Sequence, residues 1–358
     1  MIISMNIVVA IDSFKGCLSS KEANLAAAEG LKDVCPDAEV VQVAVSDGGE
    51  GFLEAFLPVL GGTLIEVTVC DPLMRPVRAN YLLHGQTAVI EMAQASGLTL
   101  LQREERNPMV ATSYGTGQLV ADAVRKGARH IIVGLGGSAT SDAGIGMLQA
   151  LTDSFHGGVQ WHPIKALADV RFTIASDVTN PLCGPSGAAH VFAPQKGATP
   201  EEVLALDERA RAFADRSGHL FGYDRSEDSG AGAAGGLGYA FLQYLDAECR
   251  PGIDLLLDAV GFEGLLKDAD LIITGEGSAD GQTLMGKLPK GILNRAAGVP
   301  VWLIAGKVSN REALLEAGFA RVQCINPPDI TFEEAMRKEV AIRNIKNSLK
   351  MITHLLLA

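Results

Sequence analysis

The sequence predicts an α/β protein of two domains, in which an outer domain built on a parallel sheet is interrupted by an inserted, mixed α/β domain. Three observations lead there. Short apolar, β-branched runs at residues 7–11, 40–45, 130–133, 271–274 and 301–305 end near Gly or Asp and are followed by helical patterns. Runs of that kind, alternating with helices, belong to parallel strands covered on both faces. A different rhythm occupies residues 64–69, 77–83 and 88–92, three strand-like runs separated only by 71–76 and 84–86, the spacing of antiparallel neighbours. Finally, 358 residues exceed one ordinary compact unit and suit two.

In chain order, residues 7–11 open the outer sheet. Residues 19–32 follow as a helix: Ser19 stands at the N-cap, Glu22 at the capping-box position, and Leu25, Ala28 and Leu31 share a face. The antiparallel runs start the inserted domain, expected over 64–258, so that 1–63 and 259–358 form the outer, Rossmann-like domain. After the strand 130–133, residues 142–151 read as helix, and a charged-and-apolar pattern predicts one helix over 332–357. No repeat of solenoid period and no low-complexity segment interrupts the chain.

Composition narrows the function. With 47% hydrophobic residues, 40 glycines and 5% aromatics, the chain has a large core and many tight turns, and disorder is excluded. A net charge of −12 excludes nucleic acid as a partner, because phosphate contacts need a basic face; it leaves room for nucleotides and small acids, which a few cations and backbone N–H groups can hold. No apolar run approaches the roughly 20 residues that span a membrane. Six scattered cysteines form no C-x-x-C pair, as expected of reduced thiols in the cytoplasm. The first strand leaves no charged n-region or cleavage site for a signal peptide. Nothing in the pattern fixes an oligomeric state, and a homo-oligomer is compatible with it.

The strongest local feature is Gly134-Leu-Gly-Gly-Ser-Ala-Thr-Ser-Asp-Ala-Gly-Ile-Gly146, directly after a strand. Small residues let the backbone approach a ligand, and consecutive N–H groups at a helix start cradle an anion. Gly136, Gly137, Ser138, Thr140 and Ser141 are therefore candidates for phosphate, with Asp142 placed for a metal; the bland alternative is a tight turn whose glycines serve packing. Gly134, Gly136 and Ala139 also fit G-x-G-x-x-A, the mark of an NAD(P) site, but the helix expected over 142–151 leaves no room for the second strand ending in an acid. Gly281 to Lys287 matches G-x-x-x-x-G-K, yet Leu288 stands where a P-loop has Ser or Thr, and the motif starts several residues after its strand.

Four further clusters mix carboxylates, hydroxyls and glycines near strand ends: Asp12-Ser-Phe-Lys-Gly16, Ser46-Asp-Gly-Gly-Glu-Gly51, Asp177-Val-Thr-Asn-Pro181 and Gly275-Glu-Gly-Ser-Ala-Asp-Gly-Gln282. Ligands of open α/β sheets bind outside the carboxyl ends of strands, although capping explains any one such cluster equally well. Gln195-Lys-Gly197 adds a cation.

In this order, and together with Asp71-Pro-Leu73, Pro194 and Gly286-Lys287, these motifs resemble the bacterial glycerate kinase family (glycerate 2-kinase, type I) along almost the whole chain. The resemblance implies two α/β domains with the active site in the cleft between them, and ATP- and Mg²⁺-dependent phosphorylation of D-glycerate to 2-phosphoglycerate, with 3-phosphoglycerate the alternative product. The chain departs from the family where 151–169 replaces a longer segment and where Ser278, Asp280 and Gly281 stand in place of an Arg and an Asp-Ser pair. A non-catalytic sensor of sugar acids is the rival reading, and an NAD(P)-dependent oxidoreductase a weaker one.

For a kinase the expected site is as follows. Asp12, Ser13, Lys15, Asp47, Gly48, Gly49, Glu50 and Asn180 bind the hydroxy acid. Gly136, Gly137, Ser138, Thr140, Ser141, Lys196 and Lys287 bind ATP, and Asp280, Glu276 and Asp142 take the metal. Asp177, beside the stiff Asn180-Pro181 turn, is the base; Lys15 and Asp280 complete the catalytic set.

Overall fold

The computed structural model describes residues 5–14, 16–46, 48–49, 51–155, 163–285 and 287–357. The chain divides into two compact units, Met1–Asp47 with Ile253–Ala358, and Gly48–Gly252.

The first unit holds five strands, β1 (Asn6–Ile11), β2 (Glu39–Gln42), β9 (Leu271–Ala279), β10 (Val301–Val308) and β11 (Arg321–Cys324). Their order is β11-β10-β9-β1-β2, parallel throughout, with Ile7 opposite Leu271 and Ala10 opposite Thr274. Ile7, Val9, Ile11, Leu271, Ile273, Trp302 and Ile304 form its core with Ala23, Ala27 and Leu31 of the helix Ser20–Lys32 and with Ala341, Ile345 and Leu349 of the helix Lys338–Leu357. The capping box expected at Ser19 and Glu22 is present. Trp302 is a packing residue, 5% exposed, with the Arg321 guanidinium 5.7 Å from its ring centroid. Chain order reverses between β1 and β9, which makes their carboxyl ends the switch point of this sheet.

The second unit carries β3 (Thr63–Cys70), β4 (Pro76–His84), β5 (Thr87–Glu91), β6 (His130–Gly134), β7 (Arg171–Ala175) and β8 (Glu248–Arg250), in that spatial order. The first three pair antiparallel, as the short turns predict, and β5 through β8 are parallel. Tyr81, Ile90, Ile131, Val133, Phe172, Ile174, Tyr239 and Phe241 are among its buried core.

Several boundaries differ from expectation. The expected division at 63/64 falls after the helix Phe52–Leu60, whereas the structural one falls before it, because that helix packs on β4 and β5. The helix expected from 142 starts at Ile145, since Ala143 and Gly144 are left-handed (φ 55° and 75°) and turn the chain before it. β9 continues past 274 to Ala279, pairing with β10 as far as Val308, so Glu276 lies within a strand. The C-terminal helix is broken into Phe332–Ala335 and Lys338–Leu357. Trp161, His156 and His162 fall outside the described residues.

One buried side chain joins the helix Ser20–Lys32 to the carboxyl end of β1. Asn24, 1% exposed, accepts from Ile11 N (2.9 Å) and donates to Val43 O (2.8 Å). Replacing it by Leu keeps the bulk and strands a buried N–H and a buried C=O. We expect Asn24→Leu to lose about 2–4 kcal/mol of stability, read as a lowered urea midpoint at unchanged m.

Candidate active site

In the second unit the glycine-hydroxyl segment forms a loop directly after β6, as expected, and another glycine segment closes on it. β6 ends at Gly134 beside Glu91 of β5 and Ala175 of β7. Gly136 N donates to Gly48 O (3.0 Å), and a Cβ on Gly136 would stand 2.3 Å from the Cα of Gly49. Only glycine permits that approach, which explains why both motifs are glycine-rich. Gly48 in turn lies against the carbonyl of Ala175, two residues before Asp177. Three of the sequence clusters therefore meet at the carboxyl ends of β6 and β7.

The rest of the loop is held by neighbours that are far away in sequence. Leu98 N donates to Gly137 O and Ala139 N to Ser96 O (2.8 and 2.9 Å). Thr140 Oγ1 donates to Ala234 O (3.4 Å) and Ala143 N to Gly235 O (3.0 Å). These carbonyls belong to Gly230–Gly238, a small-residue segment that the sequence reading passed over. Ala234, Gly235 and Gly236 are all left-handed, and a Cβ on Gly235 would come within 2.0 Å of Thr140 O. The same segment braces the other loop, since Gly232 N donates to Asn180 O (2.9 Å). The signal was present as Gly-Ala-Gly-Ala-Ala-Gly-Gly-Leu-Gly, a run too glycine-rich for an ordinary helix start.

Asp142 does not face a vacant metal position. Its Oδ2 accepts from Ser113 N (2.8 Å), Ser113 Oγ (2.9 Å), Gly146 N (3.2 Å) and Thr112 Oγ1 (3.4 Å), and its Oδ1 from Gly144 N (3.1 Å). A carboxylate with five donors ties the loop to the start of the helix Tyr114–Arg125, and its expected place among the metal ligands gives way to that role. Lys196 is likewise inside: it is 3% exposed, and its Nζ donates to Ser138 Oγ (2.8 Å) and Thr140 O (2.6 Å). Burial pushes its pKa down to about 7. Ser141 Oγ is buried and has no hydrogen-bond partner among the described residues.

Asp177 is half-buried just beyond β7, and its charge, after burial, helps to push the Cys249 thiol up to about 11. Asn180 Nδ2 donates to Ser186 O (2.7 Å). Glu91, which the sequence reading did not single out, is 6% exposed at the end of β5 and accepts from Leu53 N (3.3 Å) in the first turn of the helix Phe52–Leu60.

In the first unit, the carboxyl ends of β1 and β9 bring Asp12 and Glu276 side by side: Asp12 N donates to Gly275 O (2.9 Å), and the two residues are 8% and 7% exposed. Ser13 N donates to Asp12 Oδ1 (2.7 Å). Thr283 links Glu276 to Asp280, donating to Glu276 Oε1 (2.6 Å) and accepting from Asp280 N (2.9 Å); Asp280 Oδ1 accepts from Gln282 N (2.8 Å). Lys287 is half-buried at the N-cap of the helix Leu288–Asn294. Ser46 is 2% exposed, and its Oγ has no partner among the described residues. Lys15, Asp47 and Glu50 lie outside the described residues.

No group of three His, Cys, Asp or Glu among the described residues is arranged to hold a metal by itself. Mg²⁺ does not need one, since it keeps several waters and commonly takes one or two carboxylates plus nucleotide phosphates. Glu276 and Asp280, hard oxygen donors joined through Thr283, fit that requirement; Asp142 does not. No helix is long and apolar enough to cross a membrane among the described residues.

Known proteins resemble this chain along nearly its whole length. The model of the glycerate kinase family matches residues 7–357. The chain is 41% identical to a glycerate kinase of Bacillus subtilis (strain 168), over 97% of this chain and 98% of that protein. It is 38% identical to a glycerate 2-kinase of Escherichia coli (strain K12), over 93% of each. A solved structure from Salmonella typhimurium LT2, described as a glycerate kinase 2, superposes with a TM-score of 0.82 at 38% identity, covering 99% of this chain and 98% of that one.

The reading of Asp142 is open to test. Asp142→Asn turns an amide toward N–H donors and should lower stability by about 2–3 kcal/mol in urea denaturation. The Mg²⁺ concentration giving half-maximal activity should stay within twofold of wild type, whereas a metal ligand would raise it by tenfold or more.

Proposed function

The chain belongs to the glycerate kinase family, and from that premise we propose that it transfers the γ-phosphoryl group of ATP to the 2-hydroxyl of D-glycerate, yielding 2-phosphoglycerate and ADP. The observation that carries the proposal is the small-residue loop 134–141, closed on Gly48 at the carboxyl ends of β6 and β7 with Asp177 next along the chain from β7. Phosphoryl transfer asks a protein mainly to position phosphates, neutralise charge and accept one proton, and these residues are of the types it uses.

Gly136, Gly137, Ser138, Thr140 and Ser141 hold the phosphates, with Lys287 a further cation for them. Ser141 Oγ, which has no hydrogen-bond partner among the described residues, would add a donor for a phosphate oxygen. Asp12, Ser13, Lys15, Asp47, Gly48, Gly49, Glu50 and Asn180 form the hydroxy-acid set, in which Lys15 is the cation for the carboxylate. Asp177 accepts the hydroxyl proton as the oxygen–phosphorus bond forms and the bond from the γ-phosphorus to its bridging oxygen breaks. Glu276 and Asp280 would hold Mg²⁺, which when bound neutralises the charge of the phosphate chain. The six cysteines, free in the structure, support a reducing cytosol as the compartment.

The function is tested by incubating the protein with D-glycerate, Mg²⁺ and ATP and identifying the product by ³¹P NMR. 2-Phosphoglycerate is expected; 3-phosphoglycerate would move the acceptor, and tight calorimetric binding of glycerate without ADP formation would make the protein a sensor. The division of carboxylates is tested separately. Asp280→Asn should regain activity as Mg²⁺ or Mn²⁺ is raised, while Asp177→Asn should stay folded and at least 100-fold slower at every metal level. Metal rescue of Asp177→Asn instead would exchange the two roles.

A further inference from the structure

Lys196 is a cation where a folded chain rarely keeps one. It is 3% exposed, on the short turn Pro194–Lys196, whose backbone is fixed by Lys196 N donating to Ala193 O and Gly197 N to Pro194 O. Its hydrogen-bond partners among the described residues are a hydroxyl and a carbonyl, with no carboxylate among them. The acid that acts on it is Asp142, whose oxygens are already taken by N–H and O–H donors. Burying an unpaired ammonium costs several kcal/mol, and an apolar side chain of the same volume would not incur that cost. Its two acceptors, Ser138 Oγ and Thr140 O, both lie in the loop 134–141.

The geometry has direct consequences for that loop. An ammonium has no acceptor capacity, so in its bond to Ser138 the hydroxyl oxygen accepts and the hydroxyl hydrogen is left for another partner. The C=O and N–H of a trans peptide point in opposite directions, so holding Thr140 O toward Lys196 turns the Ser141 N–H away from it, outward from the loop. We propose that Lys196 is a positioning residue: its ammonium holds the loop 134–141 from behind, aims the Ser138 hydroxyl and the Ser141 N–H outward, and thereby strengthens the loop's hold on the phosphates of ATP. The inference rests on the reading that this loop takes those phosphates, and it moves Lys196 from the set touching nucleotide to one acting through Ser138 and Thr140.

A charge-dependent brace implies a pH dependence. With its pKa pushed down by burial, the side chain loses its proton near neutrality, so the loop grips phosphate more firmly below pH about 7 and more weakly above it. By linkage, bound phosphate raises the pH at which Lys196 titrates. Among the described residues, the charged groups on neighbouring elements include Asp142 in the loop, Arg106, whose carbonyl lies against Gly197, His190 on the helix Ala188–Phe192, 3.7 Å from Asp207, and Glu201 and Glu202 in the first turn of the helix Pro200–Phe221.

Two measurements test this. In the first, KM for MgATP and for glycerate is compared between wild type and Lys196→Met from pH 6 to 8.5, so that titration of ATP itself cancels. We expect the variant to raise KM for MgATP about tenfold at pH 6 and by less than threefold at pH 8.5, with KM for glycerate within twofold throughout. A penalty constant across pH, or one falling equally on glycerate, would overturn the proposal. In the second, ¹³C-lysine NMR of the wild type follows the Lys196 ε-carbon with and without a non-hydrolysable MgATP analogue. The midpoint should rise on binding; a midpoint that nucleotide leaves in place would also overturn the proposal, whether or not Lys196→Met folds. Failure of the wild type to bind the analogue at all would instead remove the assignment of the loop to ATP, and this inference with it.

Discussion

The contact between the backbones of Gly48–Gly49 and Gly134–Gly136 is the constraint around which the second unit's site is arranged. A Cβ on Gly134 or Gly136 would stand 2.7 Å from Gly48 O or 2.3 Å from the Cα of Gly49 and keep the two apart, and the Gly136 N to Gly48 O bond of 3.0 Å could not form. Once the contact is made, the carboxyl ends of β6 and β7 are covered on one side. Everything else about the loop 134–146 follows as support. Lys196 stands behind it, Asp142 closes its C-terminal half onto Ser113, and Ala234 and Gly235 supply acceptors to Thr140 and Ala143. Few of these contacts are local in sequence, so the loop's conformation depends on the tertiary structure of the unit that carries it.

The first unit solves its own problem differently. Its switch point places two buried acidic residues, Asp12 and Glu276, at the ends of neighbouring strands, where leaving carboxylates unsatisfied is costly. The chain surrounds them with hydroxyl and amide donors: Thr283 reaches Glu276, and Ser13 N reaches Asp12.

Much of this was legible in the sequence where the physics is local. Period and length marked the strands, the short turns marked β3 to β5 as antiparallel, and Ser19 with Glu22 announced a helix start that is present as a capping box. The glycine-hydroxyl loop and its family resemblance were also readable. What stayed hidden depended on partners more than 20 residues away. Asp142 looked like a metal ligand because its donors, Thr112 and Ser113, lie 30 residues upstream. The burial of Lys196 against Ser138 and Thr140 was hidden because nothing in Gln195-Lys-Gly197 says that the side chain points inward. Glu276 looked like a loop residue because the extra turns of β9 pairing come from β10. Side-chain direction and saturation are tertiary properties, and no residue type alone encodes them.

The wiring of the first sheet also bears on how the protein is made. β1 leaves the ribosome well before its neighbour β9, from which it is separated by some 264 residues, as in the bond from Thr274 Oγ1 to Ala10 O. At typical synthesis rates of about 5–20 residues per second, the N-terminal strand waits roughly 13–50 s for that partner. Gly48–Gly252, a single uninterrupted segment, is complete before β9 emerges and can acquire its core during the delay. The usual N-to-C order of maturation is thus inverted: the segment translated in the middle closes early, while the one begun first is finished last. For that interval the edge of β1 that later pairs with β9 is a nascent-chain liability, open to chaperones and to other copies of itself until β9 is made, although β2 can already pair with its other edge.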